Sequence, residues 1–220
     1  MHDMETKLII FDFDGTLGDT RKNIVTTMQM TMADLQLPER SEDECASTIG
    51  LPLANCFKAL YQDLTKEKAQ RCVDTYRRLF DENLSSIKPQ AFPHVVETLS
   101  ALKERGITLT IASSRSHASL VELTNDMGLS DCISYLIGAD DVEKAKPHPE
   151  PVQKTLAAMR PEANQTLVVG DMAVDVLMGM RAGTKTCGVT WGNGTREELE
   201  MAGADHIIDD MKELTGIAIP

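Results

Sequence analysis

The sequence lacks the features that mark membrane proteins and general nucleic-acid binders. It has no apolar stretch close to the roughly 20 residues that cross a bilayer, and its N-terminus carries no apolar segment long enough for a signal peptide. Basic residues are scarce, since 22 Lys and Arg against 34 Asp and Glu give a formal net charge of −12. Binding to nucleic acid or anionic lipid needs a basic surface, so we expect neither as a partner.

Cysteine pairs are also missing. The five cysteines are odd in number, widely spaced and never arranged as CxxC. This pattern predicts reduced thiols and a cytoplasmic location. The sequence does not determine an oligomeric state, and a monomer is the default expectation.

Apolar runs alternate with helix-like stretches over most of the chain, which has 220 residues and is 42% hydrophobic. From the second run onward, each pair of runs is separated by a helical pattern, which predicts an α/β fold with a doubly wound parallel sheet. In such a sheet we expect the strand order 3-2-1-4-5, with a possible sixth strand at the edge. The runs are residues 8–11, 107–112, 133–137, 166–170, 186–190 and 206–208.

The segment between the first two runs is far longer than one crossover helix requires. Residues 20–90 contain helical patterns, including a capping box from Ser41 to Glu44, and no convincing strand. We therefore predict a discontinuous catalytic core of residues 1–19 and 91–220, with a helical cap domain of residues 20–90 inserted over the end of the first strand.

Polar residues follow four of the predicted strands. Because the carboxyl ends of parallel strands meet at one edge, we expect these residues to face one crevice. Carboxylates suit a divalent cation such as Mg²⁺, while an ammonium and a hydroxyl suit the oxygens of a phosphate. The residues are Asp12, Asp14, Gly15 and Thr16 after the first strand, Ser113 after the second, Lys146 after the third, and Asp171 and Asp175 after the fourth.

These stretches resemble the four motifs of the haloacid dehalogenase-like hydrolase superfamily. The matching features are DFDGT at 12–16, a Ser that ends the second strand, a Lys before Pro, and GDxxxD at 170–175. Two further stretches, IGLPL at 49–53 and WGNGTREEL at 191–199, are similar to the phosphoglycolate phosphatase-like branch, which carries a helical cap.

The resemblance implies a role for each motif residue. Asp12 is expected to be the nucleophile that forms an aspartyl-phosphate, and Asp14 the general acid and base. Mg²⁺ is expected on Asp12, Asp171, Asp175 and the backbone carbonyl of Asp14. The phosphate is expected on Ser113 and Lys146 and on the segments around Gly15, Thr16 and Ser114. Lys144 competes with Lys146 for its role, and Asp175 could also cap the helix that follows it.

The expected activity is Mg²⁺-dependent hydrolysis of a small soluble phosphate monoester that resembles phosphoglycolate. The cap residues Thr48, Gly50, Leu51 and Pro52, with Arg78, are candidates for contact with the leaving group. A phosphosugar mutase of the β-phosphoglucomutase type and an inorganic pyrophosphatase are alternatives on the same core. Two alternatives belong to other functional classes. A receiver-type signalling module would need a much shorter chain. A scaffold with a disabled site would have lost a motif residue, whereas this sequence retains them all.

Overall fold

The central strand of the protein is covered on both sides. β1 (Leu8–Phe11) is fully buried in the computed structural model, which describes residues 5–83 and 86–218. Successive side chains of a strand point to opposite faces, so Ile9 and Phe11 join one hydrophobic cluster while Leu8 and Ile10 join a second. An uninterrupted apolar run is what a strand buried on two faces needs.

Seven further strands follow β1 in the described part of the chain. They are β2 (Gly18–Asp19), β3 (Gln90–Ala91), β4 (Thr108–Ala112), β5 (Tyr135–Ile137), β6 (Thr166–Gly170), β7 (Lys185–Val189) and β8 (His206–Ile208). Five of them join β1 in a six-stranded parallel sheet of order β5-β4-β1-β6-β7-β8, whereas β2 and β3 pair separately. This is the predicted doubly wound order with the sixth strand present at the edge, so the fold prediction is confirmed.

Helices cover both faces of this sheet and fill the segment between β2 and β3. The helices are α1 (Arg21–Asp34), α2 (Glu42–Ala46), α3 (Leu53–Leu60), α4 (Lys66–Asn83), α5 (Val95–Glu104), α6 (His117–Asp126), α7 (Glu150–Met159), α8 (Ala173–Ala182), α9 (Arg196–Ala202) and α10 (Leu214–Ala218). Leu99 of α5 and Leu120 of α6 belong to the cluster of Ile9, whereas Val152 of α7 and Met178 of α8 belong to the cluster of Leu8.

The helical insertion, α1 to α4, begins directly after β2. Its second helix starts with the predicted capping box, in which Ser41 Oγ accepts from the Glu44 amide and Glu44 Oε2 accepts from the Ser41 amide. The prediction of no strand in residues 20–90 is wrong only at the last residue of the segment, Gln90. Gln90 pairs with Asp19 and Ala91 with Gly18 in a short antiparallel ladder.

That ladder joins the two connections between the sheet and the insertion; β2 ends at the first predicted domain boundary, and β3 straddles the second. The division into residues 1–19, 20–90 and 91–220 stays a prediction, and its residues 1–4, 84–85 and 219–220 lie outside the described part of the chain. Within the described part, no helix combines the length and hydrophobicity needed to cross a membrane.

Candidate active site

The predicted site residues gather at the carboxyl edge of the sheet. Asp12 directly follows β1, Ser113 directly follows β4, and Asp171 directly follows β6. The three side chains come from adjacent strands, because β4 and β6 flank β1. All three residues are buried, although two are carboxylates.

Lys146 forms the centre of an ionic cluster at this edge. Its Nζ donates to Asp12 Oδ1 at 2.6 Å and to Asp175 Oδ1 at 2.7 Å, with all three side chains almost inaccessible to solvent. The competing residue Lys144 is exposed, and its amide donates to Glu150 on the other side of the loop. The structure therefore brings Lys146, and not Lys144, to the acidic residues.

Burial and mutual repulsion control the protonation of this cluster. The pKa of Asp12 is raised well above its usual value by burial and by the neighbouring carboxylates, even though the Lys146 ammonium acts in the opposite direction. Burial, with repulsion from Asp175, also raises the pKa of Asp171 to about 7, against hydrogen bonds from Asn193 that favour its charged form. Burial alone would lower the pKa of Lys146, but Asp12 and Asp175 outweigh it and raise that pKa. Added positive charge would relieve the repulsion among these carboxylates.

Asp175 caps a helix, as predicted, and also binds Lys146. It lies in the first turn of α8, where its Oδ2 accepts from the Met172 amide and so caps the helix. Its other oxygen holds Lys146. Gly170 is required here because a Cβ on that residue would lie 2.3 Å from the Asp175 Cβ.

Asp171 is enclosed by the loop after β1 and by the loop after β7. Thr16 Oγ1 donates to its Oδ1 at 3.2 Å, and the amide and Nδ2 of Asn193 donate to its Oδ2 at 2.7 and 3.1 Å. Gly15 has φ +85°, and an added Cβ would lie 2.2 Å from Asp171 Oδ2. The glycine of the DFDGT motif thus allows the backbone to approach this carboxylate.

Asp14 is held by a separate set of groups. Thr20 Oγ1 donates to its Oδ1 at 2.6 Å, and Arg115 Nε donates to Oδ1 and Oδ2, both at 2.8 Å. Both side chains of the Asp14–Arg115 pair are about nine-tenths buried. The orientation of Asp14 is therefore fixed by Thr20 before α1 and Arg115 after β4 rather than by the acidic cluster.

The two serines after β4 differ in their contacts. Ser113 is buried, its amide donates to the Ile137 carbonyl, and its hydroxyl accepts from the Arg115 amide. Ser114 Oγ instead donates to the carbonyl of Gly50 in the helical insertion at 2.6 Å. Ser114 therefore links the loop after β4 to the insertion.

A cavity of about 660 Å³ lies between the sheet edge and the insertion, with Asp14 and Arg115 in its wall. Gly50, Leu51 and Pro52, three of the residues predicted to contact the leaving group, line it. Thr48 does not, because its buried hydroxyl donates to the Cys45 carbonyl. Arg78 does not line it either and instead pairs with Asp34 and Glu82 on the exposed side of α4. The geometry does not support the expected contacts of Thr48 and Arg78 with a leaving group.

Three site residues were missed by the sequence reasoning, namely Thr20, Arg115 and Asn193. Arg115 ends the stretch IASSR at 111–115, but nothing in those letters shows that its guanidinium reaches Asp14, 101 positions away. Asn193 lies between two glycines in WGNGT. Such closely spaced glycines indicate that the backbone approaches another group closely, and this was the available sequence signal. An added Cβ on Gly192 or Gly194 would lie 2.3 Å from atoms of Asp171.

The acidic cluster has the composition of a site for a hard divalent cation. Asp12, Asp171 and Asp175 each offer a carboxylate oxygen, and these oxygens lie within 4.8 Å of one another. Three buried carboxylates facing a single ammonium carry excess negative charge, which a cation would compensate. The donor set therefore fits Mg²⁺, with Asp171 orientated for it by Asn193 and Thr16.

Comparisons with known proteins agree on the type of protein. Residues 9–189 match the family described as haloacid dehalogenase-like hydrolase. The chain is 38% identical over 216 residues to the probable phosphatase IndB of Dickeya dadantii, covering 96% of this chain and 93% of that protein.

Relatives named pyrophosphatase and phosphoglycolate phosphatase are also similar over most of the chain. The pyrophosphatase PpaX of Oceanobacillus iheyensis is 35% identical, with 97% of each chain covered, and the phosphoglycolate phosphatase of Aquifex aeolicus is 33% identical, with 84% and 85% covered. Among solved structures, a predicted phosphoglycolate phosphatase from Haemophilus somnus superposes with a TM-score of 0.88 at 26% identity, covering 97% of this chain and 98% of that one.

Proposed function

The chain belongs to the haloacid dehalogenase-like hydrolase family, and we propose that it is a Mg²⁺-dependent phosphatase that hydrolyses a small phosphate monoester through an aspartyl-phosphate on Asp12. One observation carries the proposal. Lys146 Nζ lies 2.6 Å from Asp12 Oδ1 in a buried cluster in which Asp171 and Asp175, with Asp12, offer carboxylate oxygens that could hold a cation.

In the first step, Asp12 attacks phosphorus and the ester oxygen leaves. Lys146 is placed to bind a phosphate oxygen next to Asp12, and Ser113 at the end of the adjacent strand offers a hydroxyl to another. Asp14 protonates the leaving oxygen, with its carboxyl group orientated by Thr20 and Arg115. The products are the free alcohol and phosphorylated Asp12.

In the second step, a water molecule attacks phosphorus and releases Asp12. Asp14, which has lost its proton to the leaving group, accepts one from this water. Splitting the displacement in two allows one carboxylate to serve as nucleophile and the other as acid and then base. Nearly complete burial of Asp12 and Asp14 restricts the access of bulk water to the intermediate.

Mg²⁺ would be held by Asp12, Asp171 and Asp175, with the backbone carbonyl of Asp14 as the further ligand that the family resemblance implies. Bound there, the cation would supply positive charge that offsets the repulsion between Asp12 and an incoming phosphate dianion. Asn193 and Thr16 keep Asp171 in place for this role.

The substrate we propose is a small soluble phosphate of the phosphoglycolate type, with the leaving group in the cavity that Gly50, Leu51 and Pro52 line. Inorganic pyrophosphate is the second candidate, since relatives 32 to 35% identical over 97% of this chain carry the name pyrophosphatase. The reaction at Asp12 and Asp14 is the same for both substrates.

Phosphate release from a panel of compounds tests this proposal. The panel contains phosphoglycolate, pyrophosphate, sugar phosphates and nucleotides, each measured with Mg²⁺ or with EDTA. Asp12→Asn is the test variant and the exposed Asp19→Asn is its control. Metal-dependent release that is lost only in Asp12→Asn supports the phosphatase. Isomerisation of a sugar phosphate without release would indicate a mutase, and a long-lived phospho-Asp12 without turnover would indicate a signalling module.

A further inference from the structure

Arg115 has hydrogen-bonding capacity that no residue of the described chain uses. Its Nε donates to Asp14 and its Nη1 donates to Ser119 Oγ at 3.2 Å. Its Nη2 is buried, and among residues 5–83 and 86–218 it has no hydrogen-bond partner. An unpartnered N–H group in a buried position is costly, so an acceptor supplied by a ligand would be favourable there.

The guanidinium is also held in place for a ligand. Its central carbon lies 5.1 Å from the ring centroid of Phe80 and 6.0 Å from that of Phe13. Phe80 belongs to the helical insertion and Phe13 to the loop after β1, so Arg115 lies between the two sides of the cavity. Aromatic faces stabilise a cation without occupying its N–H groups.

Charge differs between the inner end and the rim of the cavity. The acidic residues Asp81, Glu122 and Asp140 in its lining are exposed to solvent, as is Arg77. Arg115 is the one buried cation among the described residues that line it. Its contact with Asp14 places it beside the group that, under the proposed function, meets the leaving oxygen. Atoms bonded close to that oxygen would therefore face Arg115.

We propose that Arg115 binds the leaving group, and that the preferred substrates carry a second anionic oxygen close to the bond that breaks. A carboxylate on the adjacent carbon or a second phosphate meets this description, whereas a simple alkyl or polyol phosphate does not. Arginine suits either anion, since its planar N–H groups match carboxylate and phosphate oxygens. This inference rests on the proposed function. Substrate selection would then depend on Arg115 after β4 as well as on the helical insertion.

The test compares two ligands that differ in one group, namely phosphoglycolate and 2-hydroxyethyl phosphate, in which a hydroxymethyl group replaces the carboxylate. Binding is measured by calorimetry in an Asp12→Asn background, which prevents turnover, with Arg115→Gln as the test substitution. Arg77→Gln is the control, because Arg77 lines the same cavity but is exposed. Kinetics of the Asp12-containing protein are measured in parallel with the same pair.

We expect phosphoglycolate to bind roughly 10- to 100-fold more tightly than its neutral partner, the range for a hydrogen bond to a charged group. Arg115→Gln should abolish most of this ratio, both in binding and in kcat/KM, while Arg77→Gln keeps it. The ratio isolates the ligand contact, because any displacement of Asp14 affects both substrates. Equal affinities before substitution, or a ratio that survives Arg115→Gln, would overturn the inference. Selective binding without hydrolysis would instead contradict the proposed function.

Discussion

The hydroxyl of Ser114 donates to the backbone carbonyl of Gly50 at 2.6 Å and so connects the sheet edge to the helical insertion. Gly50 has φ +96°, a conformation that favours glycine, and an added Cβ would lie 2.7 Å from Met172 Sδ in the loop after β6. The insertion thus meets two core loops at one residue, and both loops carry site residues. This contact fixes one wall of the cavity beside Asp14.

Replacing Gly50 by Ala should therefore impair activity as well as stability. We expect a loss of about 1–2 kcal/mol of unfolding free energy from the positive φ, and a lower kcat/KM because Met172 or the loop must move. Gly106→Ala is the control, since Gly106 has φ +81° but an added Cβ meets no atom within 4 Å. Denaturant melts and phosphate-release assays should show similar destabilisation in both variants and an activity defect in Gly50→Ala alone. Equal activity in the two variants would contradict the role of this contact.

Mg²⁺ should stabilise the fold. A ligand that binds only the folded state at a hundredfold excess over Kd adds about 2.7 kcal/mol, which corresponds to a rise in Tm of roughly 5–10 °C for a chain of this size. Asp171→Asn removes one of the three clustered carboxylates and should abolish most of the rise. Thermal melts of each protein in Mg²⁺ and in EDTA measure the rise in Tm, with Asp19→Asn as the control. An undiminished rise in Asp171→Asn would place the cation elsewhere.

The thiols should be inert in the native protein. All five cysteines are free and buried, and burial raises the pKa of Cys56 to about 11 and that of Cys187 to about 12. At pH 8 a thiol of pKa 11 is ionised to about one part in a thousand, and the thiolate is the reactive form. A colorimetric thiol reagent should detect little until denaturant is added, and then five groups. Fast reaction of one thiol in the native protein would contradict this burial.

Asp14→Asn should separate the two chemical steps. We expect steady turnover of alkyl esters to fall by roughly 10²–10⁴-fold, because the proton donor and the later base are both lost. An aryl phosphate, whose leaving group needs no proton, should still phosphorylate Asp12 and give a burst of one phenolate per chain in stopped-flow measurements. Asp19→Asn should behave as the unmodified protein does. Full turnover in Asp14→Asn would refute the acid and base assignment.

The sheet could be predicted because its signal is local. β1, β6 and β8 coincide with predicted apolar runs, and β1 and β6 are buried over their whole length, which favours a nearly continuous apolar run. The capping box at Ser41 is local in the same way. The strand pair of Gly18–Asp19 and Gln90–Ala91 was missed because two residues are too few to show a period of two.

The site was predictable only where a motif was present. Asp12, Lys146, Asp171 and Asp175 stand in motifs, and the structure brings them together. Arg115 and Asn193 reach the site through contacts that span 101 and 22 positions, and no local pattern encodes such distances. Thr48 was expected to contact the leaving group, but its hydroxyl donates to the Cys45 carbonyl three residues back in the chain.

Asp12 is the proposed phosphoryl acceptor, and the peptide that carries the phosphoryl group tests this role most directly. Asp14→Asn protein is mixed with Mg²⁺ and an aryl phosphate, quenched in acid after one turnover and digested, and its peptides are examined by mass spectrometry. We predict one phosphoryl group on the peptide that contains Asp12, absent when EDTA replaces Mg²⁺. A burst of phenolate with no phosphoryl group on that peptide, or with the group on another residue, would contradict the account.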